Sequence, residues 1–218
     1  MDWNMDATLT NAIPQIEQMV RRTLQRHRLP GIALGIVRSD ELAWFGGFGR
    51  ADLEHDAAPT LDSLARVASV SKTFTATAIM QLRDEGLLDL DEPLDGWGAL
   101  NFPTRDEIIA ALPATEVVIP QDSAWKYSNL AYGLLGEVIQ RASGQPYEAY
   151  IQQHLFNPLA ITSATFDLDD EHQARLMTGY NPTPYQARPE PAAYAHLRGL
   201  AAAGQLHAQG HKCSTAHP

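Results

Sequence analysis

Two short stretches of this chain place reactive side chains at spacings that suit nucleophilic catalysis. In Ala68-Ser69-Val70-Ser71-Lys72-Thr73, Ser69 and Lys72 are three positions apart, which sets a hydroxyl and an amine on one face of a helix. In Trp125-Lys126-Tyr127-Ser128-Asn129-Leu130, a phenol and an amide are two apart, which on an extended segment points both side chains the same way. A serine hydroxyl attacks a carbonyl once a base takes its proton. A helix N-terminus supplies N–H groups and a positive dipole end that favour the negative charge so formed. A lysine held there and partly desolvated can have its pKa lowered enough to help as that base.

Each stretch alone has a simpler reading. Ser69 can cap a helix ahead of a surface lysine, and Tyr127 can pack on the core while Asn129 caps the helix that follows. Occurring together, the two stretches outweigh those readings.

The elements that must hold these residues are legible in the hydrophobic pattern. Ile13, Ile16, Val20 and Leu24 recur at helical spacing and Leu29-Pro30-Gly31 ends the pattern, which predicts an amphipathic helix over 11–28 that packs on a sheet. The apolar run 32–37, the turn Arg38-Ser39-Asp40 and the run from Leu42 predict a hairpin of two strands buried on both faces. Gly46-Gly47-Phe48-Gly49 lacks the GxGxxG spacing of a phosphate loop and reads as a glycine-eased strand end. Residues 69–85 contain no helix breaker, Phe74, Ala78 and Leu82 form one stripe, and Gly86 is placed to cap the C-terminus. Shorter helices are predicted over 104–112, 130–142 and 147–156, with a turn over 87–93. After Thr165, prolines at 182, 184, 189 and 191 and the small-residue stretch Gly199 to Gly204 predict loop followed by something short. The expected division is 1–66, an N-terminal helix and hairpin; 67–180, a mainly helical part carrying both reactive stretches; and 181–218, loop and irregular tail.

Composition excludes several classes. The chain has 218 residues, 44% of them hydrophobic, as expected for one or two globular domains. A net charge of −10 argues against a nucleic-acid or anionic-membrane partner, which would need clustered Lys and Arg; the Arg21 to Arg28 cluster reads as a solvated helix face. The single Cys213 excludes a disulfide framework and a Cys-based zinc site. His207 and His211 are four apart, but their place near the chain end favours a tail over a metal site, so neither metal nor cofactor is expected. No signal-like N-terminus or membrane-length apolar run is visible, and the expected location is cytoplasmic.

The block from Arg66 to Ala76 with Leu82-Arg83-Asp84-Glu85-Gly86-Leu87-Leu88-Asp89-Leu90-Asp91-Glu92-Pro93 resembles the first signature of class C β-lactamase-like serine hydrolases, the superfamily that includes penicillin-binding proteins. Tyr127-Ser128-Asn129-Leu130-Ala131-Tyr132-Gly133-Leu134-Leu135-Gly136 resembles their second, YxN, signature. The likeness extends over roughly 11–166 through Leu29-Pro30-Gly31, Gly47-Phe48-Gly49-Arg50-Ala51-Asp52, Ser143-Gly144-Gln145-Pro146-Tyr147 and Phe156-Asn157-Pro158-Leu159. It implies an α/β fold of β-lactamase/transpeptidase type, a sheet with flanking helices plus a mainly helical subdomain. It further implies that Ser69 forms an acyl-enzyme from a small ester, amide or β-lactam, that Lys72 and Tyr127 share the general-base and general-acid work, and that Asn129 binds substrate or orients Lys72. Which of Lys72 and Tyr127 takes the serine proton stays open, because coupled groups titrate as a set.

The chain departs from that pattern in two places. A third motif, Lys or His then Ser or Thr then Gly on a late strand, is not found, and the resemblance therefore implies a truncated relative whose sheet lacks its C-terminal strands. The separation of 58 positions from Ser69 to Tyr127 is shorter than usual, which implies a deletion between 94 and 102. The late strand supplies one of two oxyanion-hole donors in the superfamily, and loss of one such donor costs about 2.7 to 4 kcal/mol. The alternative expectation is thus a catalytically silent remnant that binds a ligand or peptide, or its own copies through an exposed sheet edge.

Overall fold

The computed structural model describes residues 5–38, 41–88, 90, 104–114, 123–181 and 189–209. The expectations about 94–102, Pro182, Pro184, His211 and Cys213 lie outside them, as does most of the turn over 87–93. The chain is a mixture of helix and sheet divided into two units, one within Met1–Ala65, Asp169–Tyr194 and Gln209–Lys212, the other within Arg66–Leu168, Ala195–Ala208 and Cys213–Pro218.

The first unit is built on helix α1 (Met5–His27) and the antiparallel hairpin of β1 (Gly31–Arg38) and β2 (Glu41–Gly49). Val20 on α1 and Phe48 on β2 are buried, and the Arg21 guanidinium lies 5.3 Å from the centre of the Phe48 ring. Gly31 and Gly49 face each other across the hairpin. A Cβ on Gly49 would meet the Pro30 carbonyl oxygen at 2.2 Å, and its φ is +69°, so both space and backbone demand glycine there. The expectation that these strands are buried on both faces is corrected: along both strands only Phe48 is fully buried, and Val37 is 62% exposed. The reason is local, since within this unit α1 is the helix that packs on the hairpin. Segment 169–194 also belongs to this unit: Thr178 donates to Asp52 Oδ2 at 2.8 Å, the Leu53 amide to Tyr180 Oη at 2.7 Å, and the Met177 amide to the Leu64 carbonyl at 2.8 Å.

The second unit is mainly helical. Helix α2 (Ser71–Asp84) ends at Gly86 as the sequence predicts: Gly86 has φ +72°, its amide reaches the Arg83 carbonyl, and the Leu87 amide reaches the Leu82 carbonyl, which is the Schellman closure. Helix α3 (Arg105–Ala111) starts at a Thr104–Glu107 capping box and is tied to α4 (Asn129–Ser143) by the Arg105–Glu137 ion pair. Helix α5 (Tyr147–Ile151) runs into a π-helical turn, Gln152–Phe156. Ala78, Leu82, Ile139, Ile151 and Phe156 are 0% exposed and belong to one cluster with Tyr147, Tyr150, Phe166, Ala202 and Leu206. Strand β3 (Ala164–Thr165) pairs antiparallel with the strand at His207–Gln209 through Thr165 opposite His207.

The stretch expected to be loop and irregular tail is in part core. Arg198–Leu200 form a 3₁₀ turn, Ala201–Gly204 a single turn of helix, and every residue from Leu200 to His207 is buried. Its small residues fit close approaches: a Cβ on Gly199 would lie 2.6 Å from the Arg105 amide nitrogen, and one on Gly136 would lie 2.8 Å from Ala202 Cβ. Among the described residues no helix is long and apolar enough to cross a membrane.

Candidate active site

The approach to Ser69 is set by Ala68, whose φ of +46° lies in the left-handed region, where an L-residue costs roughly 1–2 kcal/mol. Ala68–Val70 then form a 3₁₀ turn, so Ser69 stands just ahead of α2 rather than as its first residue. Lys72 follows in the first turn of α2 and is only 7% exposed.

On the facing side, Tyr127 lies in irregular chain two residues before α4 begins at Asn129. The cap of α4 is Ser128, whose side chain accepts from the Ala131 amide. Asn129 is therefore released from the capping role that its position would otherwise suggest, and its amide is free to turn toward Lys72.

All four residues predicted from the sequence meet. Ser69 Oγ lies 2.7 Å from Tyr127 Oη and 3.3 Å from Lys72 Nζ. Lys72 Nζ also donates to Asn129 Oδ1 at 2.8 Å and to the Ala203 carbonyl at 2.6 Å. Three acceptors thus surround a nitrogen that carries three N–H groups as an ammonium. Aromatic faces flank it as well, with the Tyr127 and Tyr132 ring centres at 4.9 and 5.3 Å, distances at which a cation is attracted to the ring. Lys72 and then Ser69, both beside the phenol, hold Tyr127 below the usual tyrosine pKa. Tyr127 is half exposed, and Trp125, edge-on to it at 6.4 Å between ring centres, is 85% exposed, so the phenol side of the cluster faces outward.

Two contributors were not singled out from the sequence. The Ala203 carbonyl is a backbone group and leaves no residue-type signal beyond the run of small residues that lets the chain come this close. Tyr132 sits within the second signature, but its ring contact with Lys72 depends on where α2 lies against α4. Among the described residues there is no group of His, Cys, Asp and Glu able to hold a metal ion.

The family described as Beta-lactamase matches residues 16–99 and 95–212. The chain is 24% identical to Beta-lactamase-like protein 2 of Dictyostelium discoideum over 207 residues, covering 76% of this chain and 38% of that protein. It is also 24% identical to the D-alanyl-D-alanine-carboxypeptidase/endopeptidase AmpH of Escherichia coli over 185 residues, covering 67% of this chain and 48% of that one. The chain therefore spans less than half the length of these two relatives. Among solved structures, the octameric penicillin-binding protein homologue from Pyrococcus abyssi superposes with a TM-score of 0.78 at 24% identity, over 91% of this chain and 54% of that one. The β-lactamase/D-alanine carboxypeptidase from Pseudomonas syringae superposes with a TM-score of 0.76 at 21% identity, over 92% and 62%. The family match runs through both reactive stretches and the small-residue segment that meets Lys72, and on it the chain belongs to the Beta-lactamase family.

Proposed function

We propose that this chain is a serine hydrolase that acylates Ser69. The observation that carries the reading is the 2.7 Å separation of Ser69 Oγ and Tyr127 Oη beside an enclosed Lys72. Lys72 Nζ donates toward Ser69 Oγ, and in the proposed reactive arrangement Ser69 donates its own hydrogen to Tyr127 Oη across the 2.7 Å contact. In the proposed step Tyr127, as the phenolate, takes that proton and becomes a neutral phenol as Oγ bonds to the substrate carbonyl carbon. The tetrahedral intermediate then collapses, its leaving group receives the proton from Tyr127, and Ser69 is left as an ester. Water adds to the ester by the same route in reverse and frees Ser69. The Lys72 ammonium opposes the negative charge on the Tyr127 phenolate before it takes the proton and again after it gives the proton up, and Asn129 holds Lys72 in place.

The proposed substrate is a small ester, amide or β-lactam. The names of the relatives, with carboxypeptidase and β-lactamase among them, support an amide or β-lactam acyl donor.

A fluorescent penicillin and a fluorophosphonate probe test the proposal directly. Wild type should take up at least one of them covalently and Ser69→Ala neither. A folded wild-type chain that reacts with neither probe would overturn the hydrolase reading in favour of a binding or self-associating role.

A further inference from the structure

Lys72 depends on a carbonyl that is itself held by neighbours on α2. Ser71, Lys72 and Thr75 occupy positions i, i+1 and i+4 of α2, and so share one side of the helix. All three are buried, Ser71 and Thr75 completely. Each makes a bond to the same short segment, 202–206. Thr75 Oγ1 donates to the Ala202 carbonyl at 2.7 Å, Lys72 Nζ to the Ala203 carbonyl at 2.6 Å, and the Leu206 amide donates to Ser71 Oγ at 3.2 Å. Outside α2, the Val67 amide adds a bond to the Leu206 carbonyl.

The direction of one further bond follows from proton counting. Thr75 has a single hydroxyl hydrogen; the Ala202 carbonyl at 2.7 Å and the Ser71 carbonyl at 3.3 Å can only accept, and the shorter bond to Ala202 takes it. The 2.9 Å contact between Thr75 Oγ1 and Tyr147 Oη must then have Tyr147 as donor. Burial pushes the Tyr147 phenol well above the ordinary tyrosine pKa, so this donor keeps its proton at any pH the protein meets. A relay therefore runs from Tyr147 O–H to Thr75 O–H to the Ala202 carbonyl. The next carbonyl along the chain is the acceptor for Lys72.

We infer that Thr75 and Tyr147 are positioning residues for Lys72: by anchoring the Ala202 peptide they fix the Ala203 carbonyl, and through it the ammonium that faces Ser69 and Tyr127. The inference rests on the reading of Ser69 as nucleophile for its catalytic consequence, though not for the placement of Lys72. Thr75 touches none of Ser69, Tyr127 or Asn129 in the bonds found, so it acts through the segment rather than on the reacting atoms. Misplacement of a catalytic group by about 1 Å can cost roughly a hundred-fold in rate.

The test uses the full chain with Thr75→Val, Thr75→Ser and Tyr147→Phe, each checked for folding by thermal denaturation. With a fluorophosphonate or labelled penicillin, Thr75→Val should lower the limiting acylation rate about ten- to a hundred-fold with little change in the half-saturating probe concentration. It should also displace the pH profile. Thr75→Ser should restore both, and Tyr147→Phe should fall between. Independently of any reaction, the Nζ proton signal of isotopically labelled Lys72 should be slow to exchange with water in wild type and Thr75→Ser, and broadened in Thr75→Val. Wild-type rate, pH profile and Lys72 signal in a folded Thr75→Val would overturn the inference. Should Thr75→Val fail to fold, Tyr147→Phe decides by the same readouts. If wild type reacts with no probe, the hydrolase reading falls, and the Lys72 signal alone still decides whether Thr75 and Tyr147 place it.

Discussion

The Tyr127 hydroxyl lies 2.7 Å from Ser69 Oγ, across 58 positions of sequence, and the same ring presents its face to Lys72 Nζ at 4.9 Å. One side chain is thus in contact with both members of the helical pair. In the proposed acylation the serine proton passes to an oxygen whose negative charge the lysine would stabilise.

Removing that oxygen should therefore slow acylation more than it weakens binding. Tyr127→Phe keeps the ring beside Lys72 and is expected to reduce the limiting rate of probe labelling by about 10²- to 10⁴-fold, measured by stopped reactions on a gel. A rate within twofold of wild type would move the base role to Lys72.

The pH dependence carries a sign. Lys72 and the Ser69 hydroxyl lower the Tyr127 pKa, so if the phenolate is the base the labelling rate rises with pH through that lowered value. Lys72→Met removes the cation and lets Tyr127 return toward its ordinary value of about 10. The rising limb should shift to higher pH in the variant; a shift to lower pH, or none, contradicts the assignment.

Asn129→Ala deletes one of the three acceptors around Lys72 Nζ. Hydrogen bonds to charged groups contribute about 1.5–3 kcal/mol, and the labelling rate should drop by about ten- to a hundred-fold. Asn129→Asp keeps an acceptor oxygen and should lose less. Melting temperatures of the two variants separate a site effect from a loss of helix α4.

Ile139 is fully buried in the main cluster of the helical unit. Ile139→Ala leaves a cavity there and should cost about 2–5 kcal/mol, read as a lower urea midpoint with an unchanged slope. An unchanged midpoint would mean that this unit does not unfold around that cluster.

His207 is fully buried, and its pKa is lowered chiefly by burial and then by Arg66, with His196 acting in the same direction and Asp167 and the Thr165 backbone opposing. A base that is harder to protonate when folded binds fewer protons than the unfolded chain does. Its contribution is complete above the ordinary histidine value of about 6.5 and is lost as pH falls below it, down to the depressed folded value. His207→Gln should flatten that acid-side decline in chemical denaturation between pH 7 and 5; an identical slope would show that other groups set it.

Elements defined by local pattern were legible from residue types. The stripe Phe74, Ala78, Leu82, the cap at Gly86, the Thr104 box and the stop at Gly144 are each decided within a few residues of themselves, because helix closure and capping use neighbouring backbone groups. The 198–207 stretch was not legible. A four-residue helix of alanines and glycine has no amphipathic period, and its burial comes from α2 and α4 closing over it. The strands of the hairpin misled for the opposite reason: an unbroken apolar run reads as doubly buried, whereas burial depends on which elements cover each face.

For the site, residue type and spacing alone brought forward Ser69, Lys72, Tyr127 and Asn129, since SxxK and YxN are short-range arrangements, one at the start of α2 and the other running into the start of α4. That the two stretches meet, that Ser128 rather than Asn129 caps α4, and that a backbone carbonyl at Ala203 completes the surroundings of Lys72 were decided only by the tertiary structure. A carbonyl is the same at every position of a chain, so where one becomes a ligand for a buried ammonium is a matter of packing. Here the packing is done by the small residues of 199–204 and by hydroxyls on α2, neither of which looks like part of a site until the chain is folded.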